Sequence, residues 1–145
     1  MLLHGACHCG QVEVAFETAL PLDKIEVRAC QCSFCRSHGA RTVTDPAGSL
    51  SISAPAGGLM RYRFGLRITD YLICDRCGAY VAAVMTDGAK ELATLNVVGT
   101  RIEALASRES KPAHLEGESA EERRERRRKA WTLAKIITTA ARKHG

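Results

Sequence analysis

Residues 4–10 read His-Gly-Ala-Cys-His-Cys-Gly, which places two thiols one residue apart between two glycines. In an extended segment, residues i and i+2 face the same side, so Cys7 and Cys9 can both reach one ion while His8 points away. By itself this arrangement is compatible with a redox pair, a disulfide or half of a metal site. The other cysteines of the chain decide among these alternatives.

Two further groups of cysteines lie downstream, within residues 30–35 and 74–77, and all seven cysteines belong to one of the three groups. Cysteines that serve as small buried apolar residues would not be grouped in this way. Because seven is odd, complete disulfide pairing would leave one thiol over, and a reducing cytosol does not sustain a disulfide framework. The pattern therefore favours metal or thiol chemistry.

The third group, Cys-Asp-Arg-Cys at residues 74–77, is followed by a glycine, as in a zinc knuckle. A tight turn there brings two thiolates together, and glycine tolerates the backbone angles that the turn requires. Together with Cys7 and Cys9 it supplies four thiolates, a closed tetrahedral set suited to structural zinc. An iron-sulfur centre and unliganded thiols are the alternatives.

The middle group offers three thiols in six residues: Cys30, Cys32 and Cys35. A fourth position is left for water, a substrate thiol or a histidine, and an open position distinguishes a catalytic zinc site from a structural one. Spacing alone does not fix this division, because Cys30 or Cys32 could instead join the pair at 74–77.

Between the cysteine groups, apolar and polar side chains alternate, as expected of strands with one buried face. Turn signals such as Asp-Pro-Ala-Gly at residues 45–48 separate the segments. The length of 145 residues and the 46% content of hydrophobic residues are sufficient for one domain with a core of its own. We expect mainly antiparallel β structure, with strands at 12–16, 25–29, 50–52, 60–64, 66–73, 79–86 and 91–98.

The character of the chain changes after about residue 107. Ser119 followed three residues later by Glu122 is a capping box, which predicts the start of a helix. Two acid-base pairs at helical spacing support this helix: Glu122 with Arg126, and Glu125 with Lys129. We expect residues 1–107 to form a zinc-binding β domain, and residues 108–145 to form a polar linker and a basic helix packed on it.

The end of the chain is less typical of a helix, because residues 136–139 are all β-branched. We expect four apolar residues to dock the end of the helix on the β body or on a second subunit: Trp131, Leu133, Ala134 and Ile137.

The net charge of +5 is concentrated in residues 116–145, which hold nine Lys or Arg residues and five acidic residues. A basic helix can neutralise phosphates, but the interleaved acids repel phosphate and pair with the arginines, so we expect no nucleic-acid partner. No segment has the roughly 20 apolar residues of a membrane span, and the N-terminus lacks a secretion signal. We expect a soluble cytoplasmic protein; the sequence does not indicate its oligomeric state.

The order Gly-x-Cys-x-Cys-Gly, Cys-x-Cys-x-x-Cys and Cys-x-x-Cys-Gly, over roughly residues 3–100, strongly resembles the glutathione-dependent formaldehyde-activating enzyme family, which includes centromere protein V. This resemblance implies a mainly β, tent-like fold and carbon-sulfur lyase chemistry on S-hydroxymethylglutathione. It implies a structural zinc held by Cys7, Cys9, Cys74 and Cys77, and a second zinc, where the sulfur of a glutathione adduct binds, held by Cys30, Cys32 and Cys35. The Arg-rich C-terminal helix is not part of the family's metal-binding pattern.

Cleavage of such an adduct requires one proton to leave its hydroxyl group and another to reach the sulfur. His38, three residues after Cys35, is the nearest candidate for this transfer, because its ordinary pKa lies near neutrality. It could equally be the fourth zinc ligand or a surface residue beside Gly39. The predicted catalytic set is therefore Cys30, Cys32, Cys35 and His38.

Arginines are concentrated around the middle group, with five of them and a single acid between residues 36 and 67. Glutathione carries two carboxylates, which arginine binds in a bidentate manner. The predicted ligand-binding residues are Arg36, Arg41, Arg61 and Arg63. Arg61 and Arg63 alternate with apolar residues, so they could instead form the solvent face of a strand.

The sequence thus predicts a carbon-sulfur lyase with two zinc ions, one structural and one catalytic, that acts on a small thiol adduct such as a glutathione conjugate. The alternative is a non-catalytic zinc module that carries a thiol or binds a macromolecular partner.

Overall fold

The computed structural model describes residues 1–115 and 117–140, and this part of the chain is mainly β, with one long helix near its C-terminal end. Its strands are β1 (Leu2–Ala6), β2 (Glu13–Glu17), β3 (Arg28–Cys30), β4 (Thr42–Val43), β5 (Ser49–Pro55), β6 (Leu59–Tyr62), β7 (Asp70–Cys74), β8 (Tyr80–Asp87), β9 (Lys90–Asn96), β10 (Lys111–Ala113) and β11 (Thr132–Thr139). Its helices are α1 (Ser33–Ser37), α2 (Glu103–Ala106) and α3 (Ala120–Ala130), with a 3-10 turn at Leu22–Lys24. The predicted fold class is confirmed.

These strands form a single sheet that branches at β9. One edge of β9 pairs with β8, and the other edge is shared between β11 and β4. Three arms leave this branch: β11-β5-β2-β1, β4-β3-β10 and β8-β7-β6. The pairs are antiparallel except for β11 with β5 and β10 with β3, which are parallel. In each parallel pair one strand, β10 or β11, comes from the segment after residue 107, where no strand was predicted.

The core follows from the alternation of side chains along the strands. In β2, Val14 and Phe16 are buried while the flanking glutamates are exposed, and Val14 lies opposite the buried Ile52 of β5. In β8, by contrast, the whole run 80–85 is buried. Full burial of a large apolar side chain stabilises the fold by about 1.5–3 kcal/mol, so this core holds the cysteine-bearing strand ends in place.

The capping box at the start of α3 is present as predicted. The Ser119 hydroxyl accepts from the Glu122 N–H at 3.1 Å, and the Glu122 carboxylate accepts from the Ser119 N–H at 3.0 Å. The predicted ion pair between Glu125 and Lys129 is also present, at 3.7 Å. Arg126, however, pairs with Glu118 at 2.8 Å and not with Glu122, whose carboxylate is engaged in the cap.

The β-branched stretch after α3 forms β11, which is inserted between β5 and β9. Trp131 is buried, as expected, but Leu133 and Ile137 are 48% and 36% exposed. These two residues therefore lie in a strand and do not dock a helix end on the β body, whereas contact with a second subunit stays a prediction. In a strand, residues 133 and 137 share one face while Ala134 faces the other way, so the helical spacing that grouped them does not apply.

A membrane-spanning helix is not found in the described ranges, because none of their helices has the necessary length and apolar character.

Candidate metal centres

Two strand ends and two tight turns bring together four thiols that are distant in sequence. Cys7 follows β1, Cys74 ends β7, and their sulfur atoms lie within 4.8 Å of those of Cys9 and Cys77. We refer to these residues as the four-cysteine group. It contains the four ligands that the family resemblance implies for a structural metal.

Each pair of this group lies on a turn closed by a backbone hydrogen bond and a glycine. The Gly10 N–H donates to the Cys7 carbonyl and the Gly78 N–H to the Cys74 carbonyl, both at 2.9 Å. Both glycines have positive φ, 84° and 77°, which other residues rarely adopt. The glycines after Cys9 and Cys77 therefore serve the turns that direct two sulfur atoms to one point.

The geometry of the four-cysteine group fits a tetrahedral metal. Sulfur-sulfur distances are 3.7 Å between Cys7 and Cys9 and 3.6 Å between Cys9 and Cys74. Four sulfurs about 2.3 Å from a central zinc would lie about 3.8 Å apart, whereas a disulfide bond measures about 2.0 Å. All seven cysteines of the chain are free. The donors and their spacing are thus consistent with zinc.

The surroundings of this group combine burial of the thiols with hydrogen bonds donated to their sulfur atoms. Cys7 and Cys74 are fully buried, and this burial raises the pKa of Cys7 to about 12. The Val12 N–H donates to the Cys7 sulfur at 3.3 Å, and the Gln11 amide donates to the Cys74 sulfur at 3.4 Å. A bound cation would replace the protons of these buried thiols, as metal binding to cysteine requires.

The second cluster, the three-cysteine group, consists of Cys30 at the end of β3 and of Cys32 and Cys35 around the first turn of α1. The Cys35 N–H donates to the Cys32 sulfur at 3.4 Å, so Cys32 caps α1. Hydrogen bonds from the Cys30 and Cys35 thiols hold the pKa of Cys32 well below its ordinary value. Within the described residues, no histidine or carboxylate joins these thiols as a fourth ligand. The set fits a metal ion with one position open.

An aromatic cluster lies against the three-cysteine group. Phe34 lies between Cys32 and Cys35 in the sequence. Its ring centroid is 4.6 Å from that of Tyr71, 5.0 Å from that of Tyr80 and 5.6 Å from that of Phe64. Tyr62 stacks on Phe64 at 5.6 Å. Phe34 belongs to α1, Phe64 follows β6, and the three tyrosines lie on β6, β7 and β8. Together these rings form an apolar wall beside the thiols. The sequence analysis did not predict it, because aromatic residues in alternating strands are typical of any core.

A cavity of about 60 Å³ adjoins the three-cysteine group. Cys30 and Cys35 line it together with the aromatic residues Tyr71, Tyr80 and Trp131. Arg127 of α3 also lines it. The cavity therefore borders both Cys30 and Cys35, which belong to the family's cysteine pattern, and α3, which does not.

The predicted proton-transfer residue, His38, is exposed at the C-terminal end of α1. Its ring lies 4.5 Å from the ring of Phe34 and 5.7 Å from that of Tyr80. It is therefore a neighbour of the aromatic wall and does not belong to the cluster of sulfur ligands.

The four predicted ligand-binding arginines are not among the residues that line the cavity. Arg36 is exposed on α1, and Arg41 donates to the carbonyls of Ala106 and Arg108 at 3.1 and 3.2 Å. Arg61 and Arg63 both contact Asp70, at 2.9 and 2.5 Å, which lowers the pKa of that carboxyl group. Three of the four arginines are thus engaged with acceptors of the protein, and their role in ligand binding stays a prediction.

The fold and the two cysteine clusters define a mainly β protein with one closed and one open candidate thiolate site. The chain belongs to the glutathione-dependent formaldehyde-activating enzyme family, since a family model with this description matches residues 2–115.

A crystal structure of a protein from Rhodobacter sphaeroides, solved by structural genomics, is similar to this chain, with 29% sequence identity and a TM-score of 0.54. The likeness covers 82% of this chain and 93% of the other. No curated protein matches the chain significantly.

Proposed function

We propose that the protein is a zinc-dependent carbon-sulfur lyase that acts on a small thiol adduct, with S-hydroxymethylglutathione or a related glutathione adduct as substrate. In this proposal the four-cysteine group holds a structural zinc and the three-cysteine group holds a second, catalytic zinc. Family membership supports the class of substrate, and the two groups of converging thiols support the metals.

The observation that carries the proposal is the incomplete ligand set beside a cavity. Three thiols converge, the described residues supply no fourth ligand, and two of the cysteines line the adjoining space. Zinc bound there would act as a Lewis acid and would lower the pKa of an incoming thiol. The cysteines hold the site, while Phe34 and its aromatic neighbours exclude water from one side of it.

Cleavage of the adduct to an aldehyde breaks the carbon-sulfur bond, and the bonding electrons leave with the sulfur. The hydroxyl proton must be removed at the oxygen atom, and a proton must be returned to the sulfur when the thiol is released. We assign the movement of protons to the imidazole of His38, which packs on Phe34 next to the site. The reverse reaction, addition of glutathione to formaldehyde, uses the same groups.

A reducing compartment suits this chemistry, because seven free thiols and a glutathione substrate both depend on it. We therefore place the protein in the cytoplasm. The ion pairs of α3 support the expectation that nucleic acid is not a partner, since Arg123, Arg126 and Arg128 already contact acidic side chains of the protein.

The test is the rate of S-hydroxymethylglutathione formation and breakdown, followed by exchange NMR spectroscopy with protein of known metal content. We expect an acceleration that Cys32→Ser removes and that Ser33→Ala, a change at the exposed neighbouring residue, leaves intact. Two bound zinc ions without acceleration would contradict the enzymatic proposal. Glutathione binding without acceleration would favour the alternative, a non-catalytic module that carries a thiol.

A further inference from the structure

Arg127 of α3 is an unusual residue of the cavity beside the three-cysteine group. It is only 5% exposed, although its neighbours in the sequence are polar and solvated. One terminal nitrogen donates to the Thr69 hydroxyl at 2.5 Å and lies 3.9 Å from the sulfur of Met85. The guanidinium carbon lies over the Trp131 ring, 4.2 Å from its centroid, which is a cation–π contact.

The protein uses only part of the hydrogen-bonding capacity of Arg127. A guanidinium group has five N–H donors, and its Nε is buried without a hydrogen-bond partner in the described structure. Such an orphaned buried donor is strongly unfavourable unless something else accepts its proton. The position of Arg127 in the wall of the cavity allows a bound molecule to do so.

The charge of Arg127 is likewise unmatched. Two other arginines line the cavity, and each has a carboxylate partner: Arg28 contacts Glu26 at 3.2 Å, and Arg126 contacts Glu118 at 2.8 Å. Among the described residues no carboxylate forms an ion pair with Arg127. Burial lowers its pKa to about 10, so the side chain stays cationic at neutral pH. A buried cation of this kind is costly unless an anionic group lies close to it, and the carboxylate of a bound ligand would supply one.

The size of the cavity limits which part of a ligand can enter it. At about 60 Å³ it is far smaller than the several hundred Å³ of pockets that enclose a whole ligand. A molecule of the size of a tripeptide would place only one end there. Since Cys30 and Cys35 line the same cavity, that end lies next to the thiol position.

We propose that Arg127 binds a carboxylate of the thiol ligand whose sulfur occupies the open position of the three-cysteine group. This inference rests on the proposed function and deepens it by naming the residue that binds a carboxylate of the adduct. The planar guanidinium group matches a carboxylate with two parallel hydrogen bonds. Arg127 lies in α3, outside residues 2–115, which match the family model. In this proposal α3 selects the ligand, although it is not part of the family's cysteine pattern.

The test compares three thiols by calorimetry on the zinc-loaded full chain: glutathione, its dimethyl ester and 2-mercaptoethanol. We expect the native protein to bind glutathione about ten-fold or more tightly than the ester, as a charge-assisted pair in a desolvated site provides. Arg127→Met should remove most of this preference and change the affinity for 2-mercaptoethanol by no more than about two-fold. Arg124→Met, on the same helix but outside the cavity lining, should preserve the preference.

The possible failures are distinguishable. If no thiol binds to the native protein, the proposed function fails and this inference fails with it. If thiols bind but acid and ester bind equally well, only the role of Arg127 is contradicted. An equal loss of affinity for all three thiols in Arg127→Met would also contradict it, because Arg127 would then act on the metal site alone. Should Arg127→Met not fold, equal binding of the acid and the ester to the native protein would still contradict the proposal.

Discussion

The two groups of cysteines use the same ligand atom in contrasting surroundings. The four-cysteine group is complete, contains two fully buried cysteines and joins β1 to the turn after β7. The three-cysteine group lacks a fourth ligand among the described residues and lies beside aromatic rings and a cavity. Thiolate chemistry alone does not separate a structural from a reactive site. The number of ligands and the adjoining space make that distinction.

The largest expected difference between the groups is in folding. Structural zinc contributes about 10 kcal/mol or more to folding, which is comparable with the whole stability of a domain. We therefore expect Cys74→Ser to abolish the cooperative thermal transition. Cys32→Ser, the matched change in the three-cysteine group, should leave a folded protein with one metal ion. If the two variants have equally low melting temperatures, the division into a structural and an open site is wrong.

Metal removal should also proceed in two steps. The three-cysteine group offers one thiolate fewer, and two of its cysteines border a cavity, so a chelator can reach its metal while the fold persists. We expect one equivalent of zinc to leave quickly without change in circular dichroism, and the second to leave only with loss of structure. Release of both metals in one slow step with unfolding would contradict this expectation.

Phe34 provides a way to weaken the open site alone. It contacts five aromatic or imidazole rings next to Cys32 and Cys35. We expect Phe34→Ala to lower the free energy of unfolding by about 2–3 kcal/mol and to accelerate the first step of zinc release. Phe34→Leu keeps most of the apolar volume and should have a smaller effect on both quantities. Unchanged zinc release in Phe34→Ala would show that the wall does not shield the site.

A smaller effect is expected at Glu118, which anchors α3 beside the cavity through Arg126 at 2.8 Å and Arg123 at 3.2 Å. The hydrogen bond from Arg126 is the main cause of its lowered pKa. A lowered pKa in the folded state stabilises the fold above the ordinary carboxyl pKa, and this contribution is lost as the pH falls through the folded value.

We therefore expect Glu118→Gln to lower the free energy of unfolding by about 1 kcal/mol at neutral pH, and not to change it at a pH where Glu118 is protonated. Denaturant unfolding at a series of pH values measures this difference. Glu121→Gln, at a 74% exposed side chain, is the matched control and should have almost no effect. If Glu118→Gln still lowers the free energy of unfolding in acid, then packing, and not the ion pair, holds the start of α3.

The sequence was sufficient for the features that depend on local spacing. The cysteine intervals indicated three groups of thiols, and Ser119 with Glu122 predicted the start of α3. Which groups share an ion was implied by the family resemblance and not by spacing. The position of β11 between β5 and β9 was not predictable, because the partner strands are chosen by packing over long distances in sequence.

Arg127 shows the same limit at the level of a single side chain. In the sequence it stands within a run of arginines and glutamates that is typical of a solvated helix. Its burial depends on where α3 lies on the sheet, and its neighbours Thr69 and Met85 are more than forty residues away. By contrast Arg61 and Arg63, which were predicted from charge alone, contact Asp70 in the same arm of the sheet.

The most direct test of the account is a crystal structure of the zinc-loaded protein soaked with glutathione, with anomalous data collected at the zinc edge. We predict two zinc peaks, one enclosed by the four-cysteine group and one held by the three-cysteine group with the glutathione sulfur in its fourth position. A single peak, a protein side chain in that fourth position, or cysteines joined as disulfides would contradict the account.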